Sequence, residues 1–487
     1  MKLYSVTLSL LFLTSATEAS VPVCEDAASQ PESVVRPLRE LANYGPYRNL
    51  LKDDRLGTSL DDHQLAVSPS ELILGLDGRS RNSRLNLDMP IYFIGVEKIG
   101  GNGFRHVEKF SCKGSHVDID NMRKTAWSGI NETVSRKAEA AICQVLDDPK
   151  PMMITHIART PGIVSGVYSP PCTIFSVYGR SNSCSEPITT GDDASYDYDS
   201  VVSILSEVRR DIETSVARSR PTHILVMSTG WNTQQDESLL NYLDWLGTIQ
   251  NAANERNESF RPLVVAFTWR SEWKSWRRSL GVVNKGNDAD EIGMTWANMI
   301  INDVVLPVAS DNSIPMALLG HSFGTRILGT ALFNRQLIAR NNDYLLTGRN
   351  PVSFVALQPA FPIQRFGTDG KEPIYVGATS LPILMVMTSS RHDLAASKLD
   401  DKPGTYAGGG GAPSRIRRNS SLSAIATANV DENGDFTSTI PTRGFLIAES
   451  ESIVNCNMPN TGGGAHSDVY DKEMGRLIWS VIKRASE

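Results

Sequence analysis

The sequence predicts an α/β protein built on a mostly parallel sheet with helices on both faces. Three observations carry this expectation. Short apolar runs recur from about residue 221 onward, helical periodicities separate them, and one run ends in a glycine-flanked serine, "GHSFG" at 320–324, that opens a helix. A strand becomes a near-continuous apolar run when both faces of its sheet are covered, and alternating strands and helices imply parallel pairing.

The N-terminus stands apart. Lys2 precedes an apolar run from Leu3 to Leu13, and "TSATEAS" with its small residues follows. A positive start, a short apolar stretch and a small-residue site at Ala19-Ser20 predict a signal peptide over 1–19. The run is too short to span a bilayer, and no other stretch reaches about 18 apolar residues, so no transmembrane segment is expected. Cys24 follows Val23, where a lipoprotein anchor needs a small residue. The expectation is a soluble exported protein, periplasmic or secreted.

Residues 20–200 form an N-terminal region of open role. Within it "MPIYFIGVEK" (89–98) and "CTIFSVYG" (172–179) are candidate first strands of the same sheet. His116, Asp118 and Asp120 alternate as on the polar face of a strand. The catalytic domain is expected over 201–487. Val201, Leu205, Val208, Ile212 and Val216 share one helix face and lead into the strand "THILVMSTG" (222–230). Asp236 is the expected N-cap of the next helix, whose apolar face is Leu239, Leu240, Leu243, Leu246 and Ile249. Further strands are "PLVVAFTW" (262–269), "IPMALLG" (314–320), "VSFVAL" (352–357) and "PILMVMTS" (382–389). Ile327, Leu328, Ala331 and Leu332 mark a helix after Gly324. Met474, Leu477, Ile478, Val481 and Ile482 mark the last one. An insert over 397–440 contains "YAGGGGAPSRIRRNSS" (406–421), read as a mobile surface loop or part of a lid. Its "DENGD" (431–435) lacks the glycine and distal glutamate of a calcium loop and is read as a turn.

The 487 residues are 40% hydrophobic, 21% charged and 7% aromatic, ordinary for a globular chain with a large core. A net charge of −6 gives no reason to expect nucleic acid or an anionic membrane as partner. The six cysteines, Cys24, Cys112, Cys143, Cys172, Cys184 and Cys456, all follow the signal segment. An even count in an oxidising compartment favours disulfides, and Cys172–Cys184, flanking a turn-rich loop, is the best single pairing. No CxxC or Cys/His cluster is present, so no metal site is expected.

Ser322 follows an apolar strand and precedes a helix, the setting a nucleophile elbow requires. Gly320 and Gly324 let strand and helix close around it, and the helix N-terminus favours developing negative charge. A serine hydroxyl needs a base. Only His392 and His466 follow Ser322, and His466 lies in the glycine-rich loop "GGGAHSDVY" just before the last helix. Asp393, directly after a strand, is the expected acid. It neighbours His392 in sequence, but adjacent side chains on an extended loop diverge. Asp400, Asp401 and Asp431 remain alternatives further into the insert. The oxyanion donors are expected at the backbone N–H of Phe323 and, after the strand ending at Gly230, at the N–H of Trp231, with Asn232 supporting that loop.

These pieces resemble the α/β-hydrolase superfamily, and most closely a largely uncharacterised bacterial lipase/esterase-like branch. The matching stretches over about 200–485 are "STGWN", "FTWRS", "DADEIG", "LGHSFGTR", "TSSRHDLA" and "HSDVY". Thr229 stands where that branch usually carries His. The resemblance implies the α/β-hydrolase fold with Ser322 as nucleophile, Asp393 as acid and His466 as base. The expected activity is cleavage of a small or lipid-like carboxylic ester through an acyl-enzyme, with no cofactor. Amide or thioester hydrolysis is the rival within enzymes, since one triad serves all three acyl types. An inactive binding protein of the same fold is the rival from outside them. Oligomeric state is not legible in the sequence.

Overall fold

The computed structural model describes residues 84–98, 110–114, 116–147, 152–176, 184, 198–231, 233, 235–269, 271, 278–338, 350–399, 405–456 and 464–487. The signal segment, Cys24, Asn232, Asp400 and Asp401 lie outside the described residues.

Short, largely apolar strands organise the chain around one ten-stranded sheet. In chain order its strands are β1 (Ile91–Lys98), β2 (Met152–Thr160), β5 (Cys172–Ser176), β6 (His223–Ser228), β7 (Pro262–Trp269), β8 (Met316–His321), β9 (Val352–Leu357), β10 (Leu384–Ser389), β11 (Ile425–Asn429) and β12 (Gly444–Glu449). A two-stranded ribbon, β3 (Ile163–Val164) with β4 (Val167–Tyr168), stands beside it. The spatial order is β11-β12-β10-β9-β8-β6-β7-β1-β2-β5. Every neighbouring pair from β11 to β1 is parallel, while β2 runs antiparallel to both β1 and β5.

The five central strands β6 to β10 are buried along their whole length, because each contributes to two cores. Ile224, Val226, Leu318 and Phe354 face one core; Leu225, Met227, Leu319 and Val355 face the other. Successive side chains on a strand point to opposite sides, so a strand covered on both faces has no position for a polar stripe.

The helices, in chain order, are α1 (Ile119–Lys124), α2 (Glu132–Leu146), α3 (Tyr198–Ser219), α4 (Gln235–Glu255), α5 (Arg278–Met294), α6 (Trp296–Met299), α7 (Leu306–Asp311), α8 (Phe323–Phe333), α9 (Leu394–Leu399), α10 (Ala412–Arg418) and α11 (Lys472–Ser486). The predicted apolar faces of α3 and α8 sit in the first core, those of α4 and α11 in the second. Between α6 and α7 a π-helical stretch, Ile300–Val305, keeps the run helical. By length and composition Lys285–Asp311 would suffice to cross a membrane, but 94% of its most apolar window is buried inside the molecule, as expected of a core helix.

The two candidate strands of the N-terminal region both lie in the sheet, as β1 and β5. The strand between them, β2, has no apolar alternation that would announce it. Its Thr155 and His156 are fully buried, and the His156 ring fills the space a side chain at Gly95 of β1 would need. Three expectations are corrected. Residues 118–120 are not strand: Asp118 caps α1, its Oδ1 accepting the Asn121 N–H at 2.8 Å. Asp236 lies within the first turn of α4 rather than at its cap.

The third correction concerns 406–421, which is packed against the sheet rather than lying as a loop free on the surface. Ala407 and Ala412 are buried, and the run is stitched to the ends of β9 and β10. Ser390 N donates to Gly408 O at 3.0 Å and Ser389 Oγ to Gly409 O at 2.8 Å. The insert also supplies α10 and an edge strand of the sheet, β11. "DENGD" is a turn, with Asp431 Oδ1 accepting the N–H groups of Asn433 and Asp435.

Cys172 is bonded to Cys184, the expected pair, and Cys112 to Cys143. Cys456 is also disulfide-bonded. These bonds suit an oxidising compartment.

Candidate active site

The C-terminal ends of parallel strands are where an open α/β sheet binds ligands, above all where the chain reverses its direction of travel across the sheet. Here the chain passes from β6 to β7 on one side and returns to β8 on the other side of β6. The loops after β6 and β8 therefore part, and Ser322 and Gly230 meet in the opening.

Ser322 has φ +53° and ψ −124°, a left-handed φ that non-glycine residues rarely adopt. Such strain persists only where surroundings over-determine it. Four bonds do so. Ser322 N donates to Leu357 O on β9 at 3.0 Å, and Ser322 O accepts from Ala360 N, Thr325 N and Thr325 Oγ1. Glycine is required on both sides of this turn. A side chain at Gly324 would come within 2.2 Å of Ser228 O, and one at Gly320 within 2.9 Å of Thr325 N. Across the opening, a Cβ at Gly230 would lie 2.5 Å from that of Ser322. Phe323 begins α8, so its N–H belongs to the first helical turn and has no partner within the helix.

The loop after β6 is anchored on both sides. Thr229 N donates to Tyr242 Oη at 3.2 Å, Thr229 Oγ1 pairs with Ser238 Oγ at 2.7 Å, and Trp269 Nε1 donates to Thr229 O at 3.1 Å. Tyr242 in turn donates to Phe267 O. Thr229 thus spends its hydrogen bonds on α4 and β7, holding Gly230 and Trp231 at the opening from beneath.

Asp393 follows β10 and is buried. Its Oδ1 accepts the Ala396 N–H of α9 at 2.8 Å, and its Oδ2 accepts from His466 Nδ1 at 2.8 Å and from Gln358 Nε2 at 3.0 Å. His466 lies in the turn Ala465–Ser467, and its loop is zipped onto the acid's loop. Asp393 bridges Gly464, and Ala465 N donates to His392 O at 2.9 Å. Gly464 has φ +63°, and a side chain there would meet His392 O at 2.6 Å, which accounts for one glycine of "GGGAH". His392 supplies its carbonyl to this zipper, and its imidazole turns towards Arg391. On the other side of His466, Asp468 Oδ2 accepts the N–H groups of Asn455 and Cys456. The Asp393 carboxylate has no exposure, whereas the His466 side chain is 12% exposed.

The structure thus joins Asp393 directly to His466 and sets Ser322, Gly230 and Phe323 together. Two residues escaped the sequence reading. Gln358 closes β9 with φ +41° and locks Asp393, its own Oε1 and N both bonded to Thr388 Oγ1. A polar residue between an apolar strand and Pro359 was its only signal. His321, next to Ser322, bonds the His466 carbonyl at 2.8 Å. Among the described residues no group of three or more His, Cys, Asp or Glu is arranged to hold a metal ion.

Comparison with protein-family models, with curated proteins and with solved structures gave no match to this chain in any of the three.

Proposed function

We propose that the protein is an exported serine hydrolase of the α/β-hydrolase type that cleaves carboxylic esters. The observation that carries this reading is the 2.8 Å bond from His466 Nδ1 to buried Asp393, in a loop that His321 ties to the end of β8, where Ser322 is held at positive φ between a parallel strand and a helix. The chain order Ser, Asp, His, and the placement of the β6 loop against the elbow, are those of a nucleophile-elbow hydrolase. The disulfides favour export.

The mechanism follows from the protonation geometry. A carboxylate accepts only, so Nδ1 of His466 carries the proton and Nε2 is left as the base. Ser322 Oγ attacks the ester carbonyl as His466 Nε2 takes its proton, and Asp393 stabilises the imidazolium. The N–H groups of Phe323 and Trp231 receive the developing oxyanion. The imidazolium returns its proton to the leaving alkoxide, leaving Ser322 acylated. Water, deprotonated by His466, attacks the acyl carbon, and Ser322 leaves with the proton restored.

A panel of esters of increasing acyl length, set beside matched thioesters and anilides, tests this. The expected result is ester turnover with an initial burst of alcohol equal to the enzyme present, and an acyl mass on the Ser322 peptide. Preference for the anilides would move the activity to amide hydrolysis. Folded protein that turns over none of the three contradicts the proposal.

A further inference from the structure

We propose that His321 is a positioning residue: its Nε2–H holds the carbonyl of His466 and so ties the base's loop to the strand that carries the nucleophile. The inference rests on the reading of Ser322, Asp393 and His466 given above. A backbone carbonyl accepts and never donates, so the 2.8 Å contact assigns the His321 proton to Nε2. Apart from this bond, the base's loop is hydrogen-bonded to the acid's loop, through Asp393 and His392, to the 455–456 segment through Asp468, and to α4 through Val469 O, which accepts from Trp245 Nε1 at 3.0 Å. None of these reaches Ser322. His321 is the last residue of β8, one peptide from the nucleophile, and its bond fixes the separation that proton transfer depends on.

The surroundings suit a clamp rather than a second base. The ring is buried, packed 4.9 Å from that of His466 and 6.4 Å from Tyr470. Burial pushes its pKa down to about 3, and the nearby His466 acts in the same direction against the raising effect of the carbonyl bond. His321 therefore stays uncharged at neutral pH and puts no positive charge beside the imidazolium that acyl transfer requires.

Two variants separate the donor from the bulk. His321→Gln keeps an N–H donor near the Nε2 position, whereas His321→Phe keeps a ring and loses the donor. The expected result is a fall in kcat of about 10- to 100-fold for His321→Phe with KM within about twofold, and recovery of most of it in His321→Gln, since a reacting group displaced by about 1 Å can cost about 100-fold. The Nε2–H proton resonance of His321 is expected in wild type as a slowly exchanging signal, while the low-field resonance of His466 Nδ1, which reports the Asp393 bond, persists in both variants. Folded His321→Phe with wild-type kcat overturns the proposal, as does His321→Gln no better than His321→Phe, or a His321 Nε2–H that exchanges in wild type as freely as that of an exposed imidazole. Both resonances are read without substrate. A clamp that passes this test in a protein inert to esters would leave His321's role standing and remove the hydrolase reading instead.

Discussion

Replacing Ser322 or His466 by alanine is expected to lower kcat for ester hydrolysis by about a million-fold, and Asp393→Ala by about ten-thousand-fold. The difference follows from what each group does in the proposed mechanism. There Ser322 and His466 make and break bonds, so the loss of either removes the covalent route. Asp393 holds the tautomer that leaves Nε2 unprotonated and shares the imidazolium's charge across 2.8 Å. The three losses are not additive, because the groups act as one unit. Ser322→Ala with His466→Ala is expected to be no slower than either alone. Steady-state kinetics on one activated ester, with folding checked by circular dichroism, measures this. A His466→Ala protein within about tenfold of wild type would assign the base elsewhere.

Asp290→Ala is expected to destabilise the fold by about 3–5 kcal/mol. Asp290 is buried on α5 beneath the elbow helix. It accepts from Arg326 on α8, from Arg365 Nη1 and Nη2 at 2.8 and 2.6 Å, and from Thr330 Oγ1 at 3.1 Å. Burial alone would raise its pKa, but the charges of Arg326 and Arg365 outweigh burial and hold it below the usual carboxylate range. Alanine would remove the anion the two buried guanidinium groups share, leaving Arg365 only the exposed Glu372 carboxylate at 3.2 Å. The cost lies in that uncompensated charge rather than in the ion pairs themselves. Exchanging all three for apolar residues of similar size, Asp290→Leu with Arg326→Met and Arg365→Met, is therefore expected to recover most of the stability. Urea unfolding of the two variants beside wild type decides. A loss under about 1 kcal/mol for Asp290→Ala would mean that water reaches the guanidinium groups.

The same cluster shows where sequence reasoning ends. Asp290 lies in "DADEIG", a motif visible in the chain, but its partner Arg365 is 75 residues away and nothing local connects them. The parallel core was legible because strands covered on both faces, such as β6 and β8, cannot hide their apolar runs. The elbow was legible because its glycines are demanded by contacts under 3 Å. Strand β2 was not, since a buried His156 and Thr155 interrupt the pattern that names a strand. Nor was the insert, where a run of glycines suggests mobility by composition yet fits the backbone tightly against β9 and β10. Asp393 and His466 were legible from their positions after a strand and before the last helix. Gln358 and His321, which hold them, act through single hydrogen bonds across the sheet and leave no periodic trace.

The most direct test is fluorophosphonate labelling of the purified mature protein, with the modified peptide identified by mass, beside Ser322→Ala and His466→Ala. Phosphonylation needs a serine whose proton is removed by a neighbouring base. The expected result is a single adduct on Ser322 in wild type, none in Ser322→Ala, and at most a trace in His466→Ala. A folded wild type that takes no label, or an adduct that survives Ser322→Ala, would contradict the assignment of Ser322 as nucleophile.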